Sequence, residues 1–367
     1  MDFSLLENLS LSRSRISNAV LTRLGAQPWF SAVRRLDLSY TPLSSRGARW
    51  SHRPNALTHI DLSGTRTTER MLDGITNGCQ LRVARIANSQ CTADGVQRLL
   101  TGNAQTLQVV DISGTPAPAG LFSREEAFPA LHTLSARGTA LCARDFHGLL
   151  NGQHFPVLHS VDLGACSLIS ECEVRASSPS LTNLWLSGAA IGTSATRLLG
   201  SASLPSLRLL DLSLATFEES PARQLVSPVQ RAIHVLSLTV DHQWSSDDIE
   251  SVLDSVAPSV LTLTVESTGA MASREVYRWL AGAELPRLQE LDLSRLDTSQ
   301  LPSWPEVTLM HLSSLWVSMS SLEQLARFSE GPLSRLLGQL AVFGSPPFSI
   351  EDAESLFENH PTHVTIL

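Results

Sequence analysis

The sequence contains no lysine: all 27 residues counted as Lys+Arg are arginine. That absence excludes chemistry that needs an amine side chain. A Walker-type phosphate loop lacks its lysine, and neither a Schiff base nor a kinase-type ATP contact can form. Codon bias in a GC-rich genome or selection against lysine would each produce it. Bias alone accounts poorly for it, because Asn and Ile, encoded by AT-rich codons, are both present.

No apolar run reaches the ~18 residues that a membrane-crossing helix needs. The opening residues, MDFSLLENLS, carry neither a basic region nor a long apolar stretch, so no secretory signal is expected. They are also too poor in Arg for a typical mitochondrial presequence. The cysteines, Cys79, Cys91, Cys142, Cys166 and Cys172, form an odd set with no CxxC spacing. They read as free thiols in a reducing compartment, the cytoplasm, with the mitochondrion as the alternative. The sequon at Asn8 has no meaning without a leader.

Catalytic signatures are missing too. The chain has no GxSxG, GxGxxG or HExxH. His59, His132, His159 and His234 fall in or beside expected strands, with no acid or nucleophile at a fixed spacing. HPTH (His360 to His363) lacks the partners that would complete a metal site. The expectation is therefore no enzyme, no cofactor, no metal and no small-molecule substrate.

What is present is hydrophobic and periodic. With 43% hydrophobic and 17% charged residues, a large core can form and disorder is not expected. The net charge of -8 disfavours a bare polyanion such as duplex DNA, although a local Arg cluster could still bind one.

The stretch HIDLSGT (His59 to Thr65) returns as VVDISGT (Val109 to Thr115). Both belong to a longer series in Leu-x-x-Leu-x-Leu register. It runs through Leu6, Leu9 and Leu11, then Val33, Leu36 and Leu38, then Leu57, Ile60 and Leu62, and continues to Leu337, Leu340 and Val342. First positions lie about 23 to 28 residues apart. The series weakens at Ile233, Leu236, Leu238 and at Val260, Leu263, Val265, then recovers. Between the apolar triplets lie helical stretches such as TADGVQRLLTG and SSDDIESVLDSV, with capping and closing residues at their ends.

About fifteen such units in register resemble the leucine-rich-repeat family, in its helix-containing, ribonuclease-inhibitor-like type. The resemblance implies an α/β solenoid of about 14 to 15 repeats forming a single domain over residues 1–367. It would be a curved horseshoe with a parallel concave sheet, and helices and irregular loops on the convex side. The Pro-rich stretches at 41–56, 115–130 and 299–306 are expected to be the irregular loops. The family's usual Asn or Cys after the strand is replaced here by Thr41, Thr65, Ser89, Thr115, Thr139 and Cys166, then by Ala189 and Ala215. Hydroxyls can satisfy part of the turn. Alanine cannot, so a looser or differently turning segment is expected at the last two. Cys91 and Cys166 are expected to be buried and inert, and Cys172 exposed.

Strand positions between the buried leucines should form outward columns, with neighbours about 4.8 Å apart. One reads Ser10, Asp37, Asp61, Arg85, Asp111, Ser135, Asp162, Trp185, Asp211, Ser237, Thr264, Asp292, Trp316. The candidate partner-binding residues are its Asp37, Asp61, Arg85, Asp111, Asp162, Trp185, Asp211, Asp292 and Trp316, joined by Arg35 and Arg137. Trp185 and Trp316 are the expected anchors, because an exposed indole needs a partner. The strand-like HVTIL presents a parallel edge, and Val364 and Ile366 are expected to dock there against another subunit. The leading reading is a protein-interaction scaffold within a multi-subunit assembly. The alternatives are a substrate-recognition subunit of a ubiquitin ligase and a peripheral protein of a ribonucleoprotein such as an organellar ribosome.

Overall fold

The computed structural model describes residues 5–43, 55–67, 72, 78–124, 126–173, 175–201, 203–219, 232–296, 309, 311–319, 321–343, 349–358 and 362–366. The chain divides into two compact units. The first comprises Met1–Trp185, Ala189–Leu198 and Ala202–Leu204. The second comprises Leu186–Gly188, Leu199–Ser201 and Pro205–Leu367.

In the first unit the described strands run parallel and in chain order: β1 (Asn8–Ser10), β2 (Arg35–Asp37), β3 (His59–Asp61), β4 (Val83–Arg85), β5 (Val109–Asp111), β6 (Thr133–Ser135) and β7 (Ser160–Asp162). After the two-residue strand β8 (Ser167–Leu168), β9 (Asn183–Trp185) extends the main ladder, while β10 (Ala190–Ile191) pairs with β8. Each strand of the main ladder is only three residues long. From β2 to β9 the middle residue of each three-residue strand, such as Leu36, Ile60, Ala84 or Val110, is at most 1% exposed, and its neighbours face outward; in β1 the middle residue, Leu9, is half-buried. The Leu that precedes the strand and the one that follows it complete the core. Alternation with period two thus fixes the register of every unit from a single leucine spacing.

A shared turn ends these strands. The second residue after the last core position has positive φ at Arg13, Tyr40, Gly64, Asn88, Gly114, Gly138, Ala165, Gly188 and Leu214. The residue after it donates its N–H back to the last core carbonyl, as in Thr41 to Leu38 and Thr65 to Leu62. Threonine reinforces the turn: Oγ1 of Thr41, Thr65 and Thr139 donates to the carbonyls of Leu38, Leu62 and Ala136 at 2.6, 2.6 and 2.7 Å. Cys166 Sγ instead donates to Ala136 O of the preceding repeat, at 3.2 Å.

At Ala189 and Ala215 the left-handed residue of the turn is kept: Gly188 and Leu214 have φ of +68° and +56°. Ala215 N still donates to Leu212 O, so there the backbone hydrogen bond holds the turn without a side-chain donor. Both alanines are buried, and each is followed at once by a short strand, β10 and β12 (Thr216–Phe217).

The second unit holds β11 (Leu209–Leu212), β12, β13 (Val235–Val240), β14 (Thr262–Ser267), β15 (Glu290–Leu293), β16 (Ser314–Ser318), β17 (Gln339–Phe343) and β18 (His363–Ile366). All but β12 follow one another in a parallel ladder. The repeats whose leucine motif is weakest, β13 and β14, carry the longest strands, paired over six positions. VLSLTV and TLTVES are rich in β-branched residues, which favour extended pairing over an early turn.

The expected helices form on the other side of each repeat. Ala93–Thr101 is capped by Thr92, whose hydroxyl accepts from Gly95 N, and closes at Gly102. Ser246–Val256 and Ile350–Leu356 begin with capping boxes at Ser245 and Ser349, with acids in the first turn. A further helix spans Ala270–Gly282. Of the three Pro-rich stretches, 115–130 is irregular where described. Most of 41–56 and all of 299–306 lie outside the described residues. The irregular stretch is nonetheless anchored. Phe122 and Phe128 pack on Phe155 with ring centroids 6.1 and 5.5 Å away, and all three are buried.

Candidate functional site

The outward columns form as expected within each unit. In the first, Ser10, Asp37, Asp61, Arg85, Asp111, Ser135, Asp162 and Trp185 are successive cross-strand partners. In the second, Asp211, Ser237, Thr264, Asp292 and Trp316 are aligned in the same way, and the column continues through Ala341 and Thr365.

The aspartates of the column do structural work. Oδ1 of Asp37, Asp61, Asp111, Asp162, Asp211 and Asp292 accepts the backbone N–H two residues on, at 2.8 to 3.0 Å in every case. In all but Asp292 that N–H leads into the positive-φ turn, and each carboxylate caps the end of its own strand. All six are half-buried. Asp37 is held below the usual carboxylate range. Burial acts against this, but hydrogen bonds from Ser39 N–H, Ser39 Oγ and Ser10 Oγ, with the charge of Arg85, outweigh it. The sequence signal for this role was the recurring Asp-x-Ser spacing. Asp111→Ala is expected to lose about 1 to 2 kcal/mol of stability and Asp111→Asn much less, since the amide oxygen can still accept. Urea denaturation of both variants measures the difference, and equal losses would mean the cap contributes nothing.

Arg35, Arg85 and Arg137 are exposed. Trp185 and Trp316 are half-buried rather than fully exposed; Asp162 is a cross-strand neighbour of Trp185, and Asp292 and Ala341 are those of Trp316. Neither indole has a hydrogen-bond or ring partner among the described residues. Val364 is 3% exposed and pairs opposite Leu340 in the core row. Its side chain is therefore core, and contact with a partner through it would require opening the fold. Ile366 is half-buried opposite Val342.

Cys91 and Cys166 are buried as expected, and Cys172 is half-buried. Burial pushes the Cys79 thiol up to about 11 despite a hydrogen bond with Leu57, which makes it a poor nucleophile. His59 lies below its usual value through burial and then the charges of Arg35, Arg82 and Arg85. Among the described residues, no group of three His, Cys, Asp or Glu is placed to share an ion, and no helix is long and apolar enough to cross a membrane.

Two clefts open in the first unit. One, of about 350 Å³, lies on the strand face among β1 to β4 and includes Ser10, Arg35, Asp37, His59, Asp61 and Arg85. The other, of about 670 Å³, lies around His147, Asn151, Glu173 and Arg175. There His147 Nε2 sits 3.1 Å from Arg175 O and 3.6 Å from Glu173, so its polar groups already satisfy one another.

Sequence reasoning missed Asp145. Its side chain is fully buried, yet its carboxylate gathers the N–H groups of Gly120, Phe122 and Cys142 at 2.9, 2.8 and 3.0 Å, and the Cys142 thiol at 3.2 Å. An acid three residues after Cys142 at a helix start was the only available sign.

The recurring unit of short parallel strand, positive-φ turn and returning segment decides the fold. Both units are leucine-rich-repeat solenoids. No protein-family model matches the chain. Over 185 residues this leucine-rich-repeat chain is 31% identical to the human and rat proteins named capping protein, Arp2/3 and myosin-I linker protein 3. The match covers 45% of this chain, and it spans only 12% of the length of those relatives. Among solved structures, an internalin (inlF) from Listeria monocytogenes superposes with a TM-score of 0.49 at 13% identity, covering 95% of this chain and 92% of that one. TLR13, from the TLR13–ssRNA13 complex, superposes with a TM-score of 0.47 at 14% identity, covering 86% of this chain and 46% of that one.

Proposed function

We propose that this leucine-rich-repeat protein is a non-enzymatic scaffold for protein–protein interaction, working as a subunit of a larger assembly and belonging to the helix-containing, ribonuclease-inhibitor-like type. The observation that carries the reading is the outward strand column of each unit, which aligns side chains in register over many repeats while the acids in it are occupied with their own backbone. What remains for a partner is then the arginines and the two indoles. Among the described residues the N–H groups of Trp185 and Trp316 have no partner, and half-buried indoles on a strand face are suited to binding hot spots. The mammalian relatives are named as linkers of other proteins, and protein binding of that general class is all that is carried over. The free, buried thiols favour an intracellular site of action.

Affinity purification of the tagged protein from its native source, with mass spectrometry, tests this. A stoichiometric protein companion is expected. Trp185→Ala combined with Trp316→Ala should weaken its recovery at least about 30-fold in affinity, the effect of losing a hot spot worth roughly 2 kcal/mol. Unchanged recovery would remove the indoles from the interface. Absence of any companion would remove the scaffold.

A further inference from the structure

Resting on that reading, we propose that the strand-face cleft of the first unit grips an acidic, extended segment of a partner protein, with Arg35 and Arg85 each forking onto a carboxylate.

The cleft's acids accept hydrogen bonds from the chain: Asp37 accepts from Ser39 N, Ser39 Oγ and Ser10 Oγ, and Asp61 accepts from Ser63 N. Its cations keep their N–H groups. Among the described residues, Arg35 and Arg85, and Arg82 beside them, donate no side-chain hydrogen bond and form no ion pair, although Arg85 stands between Asp61 and Asp111 in the column and all three are close enough to bias His59. Some other surface arginines do meet acids, as Arg34 does with Glu7, Arg295 with Glu266 and Arg327 with Glu323. The cleft therefore holds hydrogen-bond donors in excess within a chain of net charge -8. His59 Nδ1 is taken by Thr58 Oγ1 at 2.8 Å, which leaves Nε2 for a ligand.

The spacing selects the ligand. Arg35 on β2 and Arg85 on β4 are two strands apart and offset by two residues along the strand, about 12 Å at the backbone. Carboxylates three or four residues apart on an extended peptide span about that distance, and arginine's planar fork suits a carboxylate. The floor between them is the strand backbone at Leu36 and Ile60, whose side chains point into the core. Asp37 and Asp61 flank it and would repel a dense polyanion, as would the chain as a whole. Spaced carboxylates are tolerated because each meets its own guanidinium. The face is open and on regular strands, so an extended segment can lie across it without rearrangement.

The test uses the full chain and a fluorescein-labelled octapeptide of alternating Glu and Ala, followed by fluorescence anisotropy. Saturable binding is expected, weakening as salt rises. Arg35→Gln with Arg85→Gln should weaken it about 30-fold or more, whereas Arg197→Gln, an exposed arginine on another face, should leave it unchanged. The proposal is overturned if the Gln-for-Glu octapeptide binds equally, if the double variant binds as wild type, or if nothing saturates by about 1 mM. Tighter binding of a phosphopeptide or a short single-stranded RNA would overturn the choice of occupant. Companion recovery in the same variants separates this proposal from the scaffold reading. Companions retained by a double variant that has lost the peptide leave the scaffold standing and confine the failure to this cleft's role in it.

Discussion

Asp145→Ala is expected to destabilise the first unit by about 4 kcal/mol. Three backbone N–H groups, from Gly120, Phe122 and Cys142, converge on one fully buried carboxylate. Removing it leaves each of them unsatisfied out of reach of water. Every buried unsatisfied group costs roughly 1 to 3 kcal/mol, and relaxation of the 120–124 segment recovers part of that. Asp145→Asn preserves the shape but turns an amide N–H toward existing donors, so it should recover less than half of the loss. Urea denaturation followed by circular dichroism measures both variants. A midpoint change equivalent to less than about 0.5 kcal/mol would show that the carboxylate does not hold this segment.

Gly148→Ala is the second large effect, and its sign is informative. Within a helix, Gly to Ala ordinarily stabilises by about 1 kcal/mol. Here a Cβ would lie 2.0 Å from Phe122 O and 2.7 Å from its carbonyl carbon. Those atoms are backbone, pinned by Asp145 on one side and by the phenylalanine cluster on the other, so they cannot swing away. A net loss of about 2 kcal/mol is expected, with faster proteolysis of the 120–124 segment. The two variants should also be strongly sub-additive. Once Asp145 is gone the segment can retreat from residue 148, and the double variant should cost clearly less than the sum. Strict additivity would mean that the two side chains do not act on one segment.

The strand ladder was legible in the sequence because its cause is local and repeated. One leucine spacing, read about fifteen times, gives alternation, register and the outward columns together. Asp61 and Asp111 were placed correctly in that column, and their Asp-x-Ser spacing already contained the turn they cap. Cys91 and Cys166 were read as buried from their place in the repeat. Other features depend on atoms far apart in the chain. Nothing near Asp145 announces that Gly120 and Phe122 will bring their N–H groups to it. Nothing in Trp316 states that its indole will be half-buried on the strand face. At Ala215 the turn is kept because the backbone hydrogen bond to Leu212 O does work that the sequence reading credits to a side-chain hydroxyl.

The positive-φ turn divides the two kinds of knowledge. Gly64 and Gly114 could be read as turn residues from SGT. That Tyr40 and Leu214 adopt the same left-handed conformation could not, since bulky side chains disfavour it locally and only the stacked repeats enforce it. The sequence by itself determined that the protein is a leucine-rich-repeat solenoid, which side chains enter the core and which face outward. Such periodic burial is a property of each repeat and its neighbour. Only the tertiary structure decided which polar groups are already engaged: the column aspartates by their own turns and the buried Asp145 by a distant loop, while Arg35 and Arg85 have no hydrogen-bond partner among the described residues. Hydrogen-bond satisfaction depends on where every donor and acceptor comes to rest in space, and the order of residues along the chain does not contain that.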